Sequence, residues 1–157
     1  MIFITVGTQL PFDRLISAID NIFESNKQQV LAQIGPTQLI PKNIEYTDFI
    51  KPTDIEGIYK KATLIVAHAG MGSILTALKY QKPIVVMPRR AEFKEHRNDH
   101  QIATAEWVKG LNGVTVAKDE IELKSLLKNQ NINEGVEKIS PFADDTFIRY
   151  LKDEIDF

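Results

Sequence analysis

The sequence predicts an α/β domain built on a parallel sheet with helices on both faces. Three observations point there. Short, continuously apolar β-branched runs alternate along the chain with longer segments of helical periodicity, the pattern of βαβ units. The runs read as strands buried on both faces, because they are apolar throughout instead of alternating. The length of 157 residues, 43% of them hydrophobic, suits one domain with a real core.

The elements follow in order. "IFITV" (2–6) is the first strand and "GTQLP" breaks it. Phe12, Leu15, Ile16, Ile19, Ile22 and Phe23 recur at helical spacing, with Phe12 assigned to the core and Asp13 to the first turn, where the helix dipole favours a carboxylate. "VLAQI" (30–34) and "IEYTDFI" (44–50) are strands separated by a loop. Pro52 and Thr53 open a short helix as its cap. "TLIVAH" (63–68) is a buried strand, "SILTALKYQ" (73–81) a helix, and "KPIVVMP" (82–88) a strand closed by Pro88. The charged run 89–99 reads as a mostly solvated surface loop. A helix over 100–110 ends at Gly110, "GVTVA" is a short strand, and Asp119 begins a helix over 119–129. Phe147, Ile148, Leu151 and Ile155 recur at helical spacing in a final helix within 142–157. That helix either closes the domain's own sheet or docks a partner.

Composition narrows the function. Net charge is −2, so no basic field marks a nucleic-acid binder. No cysteine is present, and the three histidines are too scattered to suggest a metal site. The apolar runs fall short of the roughly 20 residues a membrane span needs. "MIFITV" lacks the basic start and cleavage site of a signal peptide. A cytoplasmic location fits.

In parallel sheets, ligands sit beyond the carboxyl ends of the strands. The loops Gly7–Pro11, His68–Ser73 and Pro88–Gln101 leave such ends and share one cleft if their strands are neighbours. "VAHAGMGSILTAL" (66–78) is the most suggestive segment. A helix starting near Gly72–Ser73 offers unpaired N–H groups and partial positive charge. Glycine lets phosphate oxygens approach the backbone, Ser73 can cap the helix or bond a phosphate, and His68 can donate to the same anion. That chemistry suggests diphosphate binding. The plainer alternative is a tight turn at Gly70 and Gly72 beside a half-buried His68. Thr8 and Gln9 could face the same anion from the first loop. His100 and Gln101 fall beside the cleft, and the Gln101 amide offers a donor and an acceptor to sugar hydroxyls. Asp99 either belongs to this site or caps the adjacent helix.

A dinucleotide fingerprint is the first rival. "GMGSIL" has Leu75 at the third glycine position, and the acidic residue due about twenty positions on is absent. Arg89 or Arg90 meeting an NADP phosphate keeps that rival open. A receiver-like phospho-acceptor domain needs carboxylates after the first strand, where this chain has Val6–Gly7–Thr8.

Taken together, "HAGMGSILTALKYQKPIVVMP…NDHQ" resembles the donor-binding segment of GT-B glycosyltransferases. "IFITVGTQLPFDRLI" resembles the first strand and loop of the C-terminal-domain family (family 28 type) of lipid-linked N-acetylglucosaminyltransferases. The pattern is most similar to free-standing members: the small catalytic subunit of the dolichol-linked transferase and bacterial exopolysaccharide or capsule counterparts. The resemblance runs over roughly residues 1–117. It implies one Rossmann-like half of a GT-B fold. Gly7, Thr8, Gln9, His68, Gly70, Met71, Gly72 and Ser73 would hold the donor diphosphate, Thr76 would lie by the ribose, and His100 and Gln101 would contact the sugar. Many relatives carry a carboxylate where Thr76 stands, and a hydroxyl supplies only part of its contact. The resemblance further implies inverting transfer of a hexose or N-acetylhexosamine from a UDP-sugar to a lipid-linked acceptor, with no cofactor and no metal. A membrane-associated partner at the inner face would carry the acceptor half, and no general base is assigned on this chain. A non-catalytic enhancer of a separate transferase is the alternative reading.

Overall fold

The computed structural model describes residues 1–24, 28–129, 132, 135 and 136. One six-stranded sheet, parallel throughout, runs in the order β3-β2-β1-β4-β5-β6. The strands are β1 (Ile2–Thr5), β2 (Val30–Gln33), β3 (Glu45–Thr47), β4 (Leu64–His68), β5 (Ile84–Met87) and β6 (Val114–Val116). The helices are α1 (Asp13–Ile22), α2 (Pro52–Lys61), α3 (Met71–Lys79), α4 (His100–Val108) and α5 (Glu120–Asn129). The chain builds outward from β1 to β3, returns to the far side of β1 with β4, and builds outward again. The carboxyl ends of β1, β4 and β5 are therefore adjacent, and the three loops predicted to share a cleft do share one.

Side chains alternate across the pleat, so each apolar strand feeds two cores. Ile4, Val66, Val85 and Met87 face Phe12, Leu15, Ile16 and Ile19 of the α1 side, where Leu123 of α5 also packs. Phe3, Ile65, Ala67 and Val86 face Tyr59, Ile74, Leu78 and Val108 from α2, α3 and α4. Phe12 is fully buried, as its place in the pattern predicts.

Several element ends differ from the sequence expectation. Helix α3 begins at Met71, two residues early, with Gly70 as its cap, so Ser73 lies inside the first turn and caps nothing. Residues 48–50 leave β3 instead of extending it, and Phe49 and Ile50 become rim. Pro52 takes the first position of α2, but Thr53 bonds Asp54 instead of capping. Gly113, with φ +80, makes the left-handed turn before β6; Gly110 does not. Asp119 does cap α5, its Oδ1 accepting from Glu122 N at 2.8 Å. The predicted helix within 142–157 lies outside the described residues. Among the described residues, no helix is long and apolar enough to cross a membrane.

Candidate functional site

Of the hollows at the carboxyl edge of the sheet, two flank the start of α3. One, of about 400 Å³, is lined by Gly7, Thr8, Gln9, His68, Gly70, Gly72, Ser73, Arg89, His96, His100 and Gln101. The other, of about 520 Å³, lies toward β2 and β3 and is lined by Phe49, Ile50, Pro52, Tyr59 and Thr76 among others. They meet on four shared residues: Gly7 and Thr8 after β1, and Gly72 and Ser73 at the start of α3.

The meeting point suits an anion. The N–H groups of Met71 and Gly72 precede the first intrahelical bonds of α3, which run from Ser73 N and Ile74 N to Gly70 O. A Cβ added at Gly72 would meet nothing within 4 Å, so the backbone there is open to an approaching oxygen. Met71 lines neither hollow, and its side chain packs on the core.

Gly7 and Gly70 are small for a different reason. They flank the His68 imidazole: a Cβ at Gly7 would stand 2.9 Å from Cε1, and one at Gly70 2.8 Å from Cδ2 and closer still to Nε2. Gly7 also holds φ at +78, and its N–H is engaged by Thr5 Oγ1 at 3.1 Å. Gly7 thus shapes the site through space and turn geometry, with its N–H engaged inside the loop. Burial, with the nearby Arg89 charge second, pushes His68 down to about 4, so the ring is neutral at pH 7. Its Nδ1 is buried without a hydrogen-bond partner among the described residues.

Within the mostly exposed loop 89–99, Arg89 departs from expectation. Arg89 is 3% exposed. Its Nη2 donates to Val6 O and Leu10 O, both at 2.7 Å, and its Nε to Pro11 O at 3.4 Å. The guanidinium also lies 4.9 Å from the centroid of the Phe12 ring. Burial pulls Arg89 down to about 10, partly offset by Glu95, and it stays charged at neutral pH. Glu95 makes a two-pronged pair with Arg14, at 2.7 and 2.8 Å, and accepts from Arg90 N at 2.9 Å. Arg14 also reaches Pro88 O and Glu120. Asp99 accepts from Ala91 N at 2.8 Å and makes no side-chain cap on α4. The run is mostly exposed, as expected, with Glu92, Lys94, Arg97 and Asp99 on the surface, but it is braced at Glu95 and begins on a buried cation.

Gln101 is buried, its Oε1 accepting from Arg89 N at 3.1 Å. That bond uses one lone pair of the oxygen, and the amide NH2 is the donor it can offer a ligand. His100 is exposed at the rim, its Nδ1 against Asn98 Oδ1 and its ring edge-on to His96. Thr76 Oγ1 donates to Gly72 O at 2.6 Å, so toward a ribose it can accept but has no proton to give. The two arginines of the dinucleotide alternative differ in their engagement, and Arg90 Nε has no partner among the described residues. Arg89 is committed to carbonyls, and Arg90 reaches Glu92 and Lys118 O.

Sequence reasoning also missed Gln33 and Phe49. Gln33 is buried and lines the second hollow, Nε2 donating to Gly7 O at 3.3 Å and Oε1 accepting from Ile50 N at 3.2 Å. Phe49 is 55% exposed on the rim of the second hollow. A polar residue closing an apolar strand was the available signal for Gln33; for Phe49, the signal was an aromatic flanked by Asp48 and Ile50–Lys51–Pro52 at a strand end.

A parallel sheet with its switch point between β1 and β4, and a cleft at a helix N-terminus there, defines a Rossmann-like α/β domain with its cleft where such sheets take ligands. Residues 1–143 match the glycosyltransferase family 28 C-terminal domain, and the chain belongs to that family. It is 29% identical to the UDP-N-acetylglucosamine transferase subunit ALG13 of Homo sapiens, over 66% of this chain and 10% of that protein. It is 24% identical to the UDP-N-acetylglucosamine–N-acetylmuramyl-(pentapeptide) pyrophosphoryl-undecaprenol N-acetylglucosamine transferase of Bacteroides thetaiotaomicron, over 96% of this chain and 44% of that one. The chain thus spans less than half of either relative. The crystal structure of Acinetobacter baumannii MurG superposes with a TM-score of 0.68 at 18% identity, covering 99% of this chain and 49% of MurG. The fold is therefore one half of a GT-B glycosyltransferase.

Proposed function

We propose that this chain binds the donor in a glycosyltransferase that moves a hexose or N-acetylhexosamine from a UDP-sugar to a lipid-linked acceptor, working with a membrane-associated partner subunit at the inner face. The observation that carries this is the meeting of two hollows on one anion-binding turn. A nucleoside diphosphate sugar has the same plan, an anionic centre with a ring at each end. The hollow bearing Phe49 and Thr76 takes the base and ribose, Phe49 offering an exposed aromatic face and Thr76 an acceptor. The hollow bearing His100 and the Gln101 amide takes the sugar. Names of the relatives support the donor and the lipid-linked acceptor, and the word "subunit" in the human protein's name supports a partner.

Chemically, the donor half has one main task. As the sugar leaves, negative charge builds on the diphosphate. The first-turn amides of α3, His68 and the buried Arg89 charge are already in place to stabilise it without reorganisation. The partner brings the acceptor and the group that takes its proton.

The test is calorimetric titration of the chain with UDP, UDP-GlcNAc, UDP-galactose and NADP, alone and with its partner. Binding of UDP-sugars and not NADP is the expected result, and the sugar dependence narrows the donor. Binding only with the partner places part of the cleft on the other subunit. No binding in either case favours the enhancer reading, to which the committed Thr76 hydroxyl lends some weight.

A further inference from the structure

The geometry points to Arg89 as the positioning residue of the cleft, its guanidinium shaping the Gly7–Leu10 loop for anion binding and Gln101 locking it to the start of α4. Three backbone carbonyls of one short segment, Val6, Leu10 and Pro11, converge on this single side chain from 78 to 83 residues away in sequence. Val6 and Leu10 line the first hollow together with Arg89, and carbonyl oxygens left unpaired there would repel a diphosphate. Turned onto the guanidinium, they leave the other face of the loop, with Thr8 and Gln9, toward the anion.

The fork geometry matters as well as the charge. Nη2 serves two carbonyls at once and Nε a third, which the three rotatable protons of a lysine ammonium, on a straight stem, cannot reproduce from the same position. Among the described residues the guanidinium pairs with no carboxylate; Glu95, the acid that influences it, is held by Arg14. The backbone end is fixed too, because Arg89 N donates to Gln101 Oε1. One residue at the end of β5 thus joins the loop after β1 to the helix that carries His100. Gln101, which touches none of residues 7–10 through a hydrogen bond of its own, acts on them through Arg89.

The inference rests in part on the nucleotide-sugar reading, so its test has a ligand-free arm. Amide 1H–15N spectra of the full chain are compared with those of Arg89→Lys and Gln101→Leu, without ligand and then with UDP. In both variants the amides of Gly7, Thr8, Gln9, Leu10 and Phe12 should move without ligand, while those of β4 and β6 stay in place. Arg89→Lys, which keeps the charge, should weaken UDP binding at least tenfold. Unmoved loop amides in both variants, or UDP affinity within twofold in a folded Arg89→Lys, would overturn the assignment. Should Arg89→Lys fail to fold, Gln101→Leu decides by the ligand-free spectrum alone. If the parent protein binds no UDP, the functional reading fails while the ligand-free comparison still decides the role of Arg89.

Discussion

His68 and Gly70 occupy space that only a residue without a side chain can share: a Cβ on Gly70 would stand 2.8 Å from His68 Cδ2. The two are a matched pair, and the neighbouring Gly72 is not part of it, since a Cβ there meets nothing within 4 Å.

That contrast makes a double prediction. Gly70→Ala should destabilise the fold by about 1–3 kcal/mol through overpacking, and His68→Ala in the same chain should recover most of the loss. Gly72→Ala should leave stability unchanged or raise it by up to about 1 kcal/mol, as alanine does inside a helix, yet weaken diphosphate binding. Urea unfolding of the single and double variants, beside UDP titration, measures both. Equal destabilisation by the two alanines would refute the pairing.

His68 should also make the protein acid-labile. Its value in the fold, about 4, lies below the ordinary 6.5. The unfolded chain then binds more protons between those limits, and stability falls as pH drops through them. The contribution is complete above about pH 6.5 and its loss reaches about 2 kcal/mol by pH 5. Replacing His68 with Gln should flatten this part of the pH–stability curve. A diphosphate raises the histidine in the complex, so UDP affinity should increase as pH falls from the value in the complex toward 4.

The pair between Arg14 and Glu95 bridges α1 to the 89–99 loop, with side chains 13% and 9% exposed. Glu95→Gln keeps the shape but leaves Arg14 only its remaining partners. A loss of about 2–3 kcal/mol is expected, below the full cost of breaking a deeply buried pair. Trypsin should then cut at Arg90, Lys94 or Arg97 faster than in the parent protein. An unchanged cleavage rate would mean that the other anchors of the loop suffice.

Phe49 and Phe12 separate binding from folding. Phe49→Ala should cost little stability, because the side chain is exposed, and should weaken UDP binding by roughly tenfold through loss of stacking at about 1–3 kcal/mol. Phe12→Ala, at a fully buried position, should cost about 3–5 kcal/mol of folding free energy. Thermal melts and UDP titration of the two variants give the comparison. A Phe49→Ala protein with full UDP affinity would move the base away from the second hollow.

Local pattern was enough for the strands, for the core position of Phe12, and for the glycine turn after His68, because apolar periodicity and turn chemistry act over a few residues. It was enough, too, to name the three loops of the cleft, since parallel βαβ units place their loops at one edge. What only the tertiary structure decided is which charged and polar groups go inside. Arg89 and Gln33 look like ordinary polar residues, and each is buried only because distant segments bring the groups that satisfy it, while Glu95 is drawn half inside by Arg14. Ser73 and Asp99 had the right identity and neighbourhood for caps. The helix start at Met71 and the Asp99 bond to Ala91 gave them other positions or partners. Desolvation penalises an unpaired charge, and whether a charge finds its partner depends on the strand order that sets β1 between β2 and β4, beyond the reach of any short window of sequence.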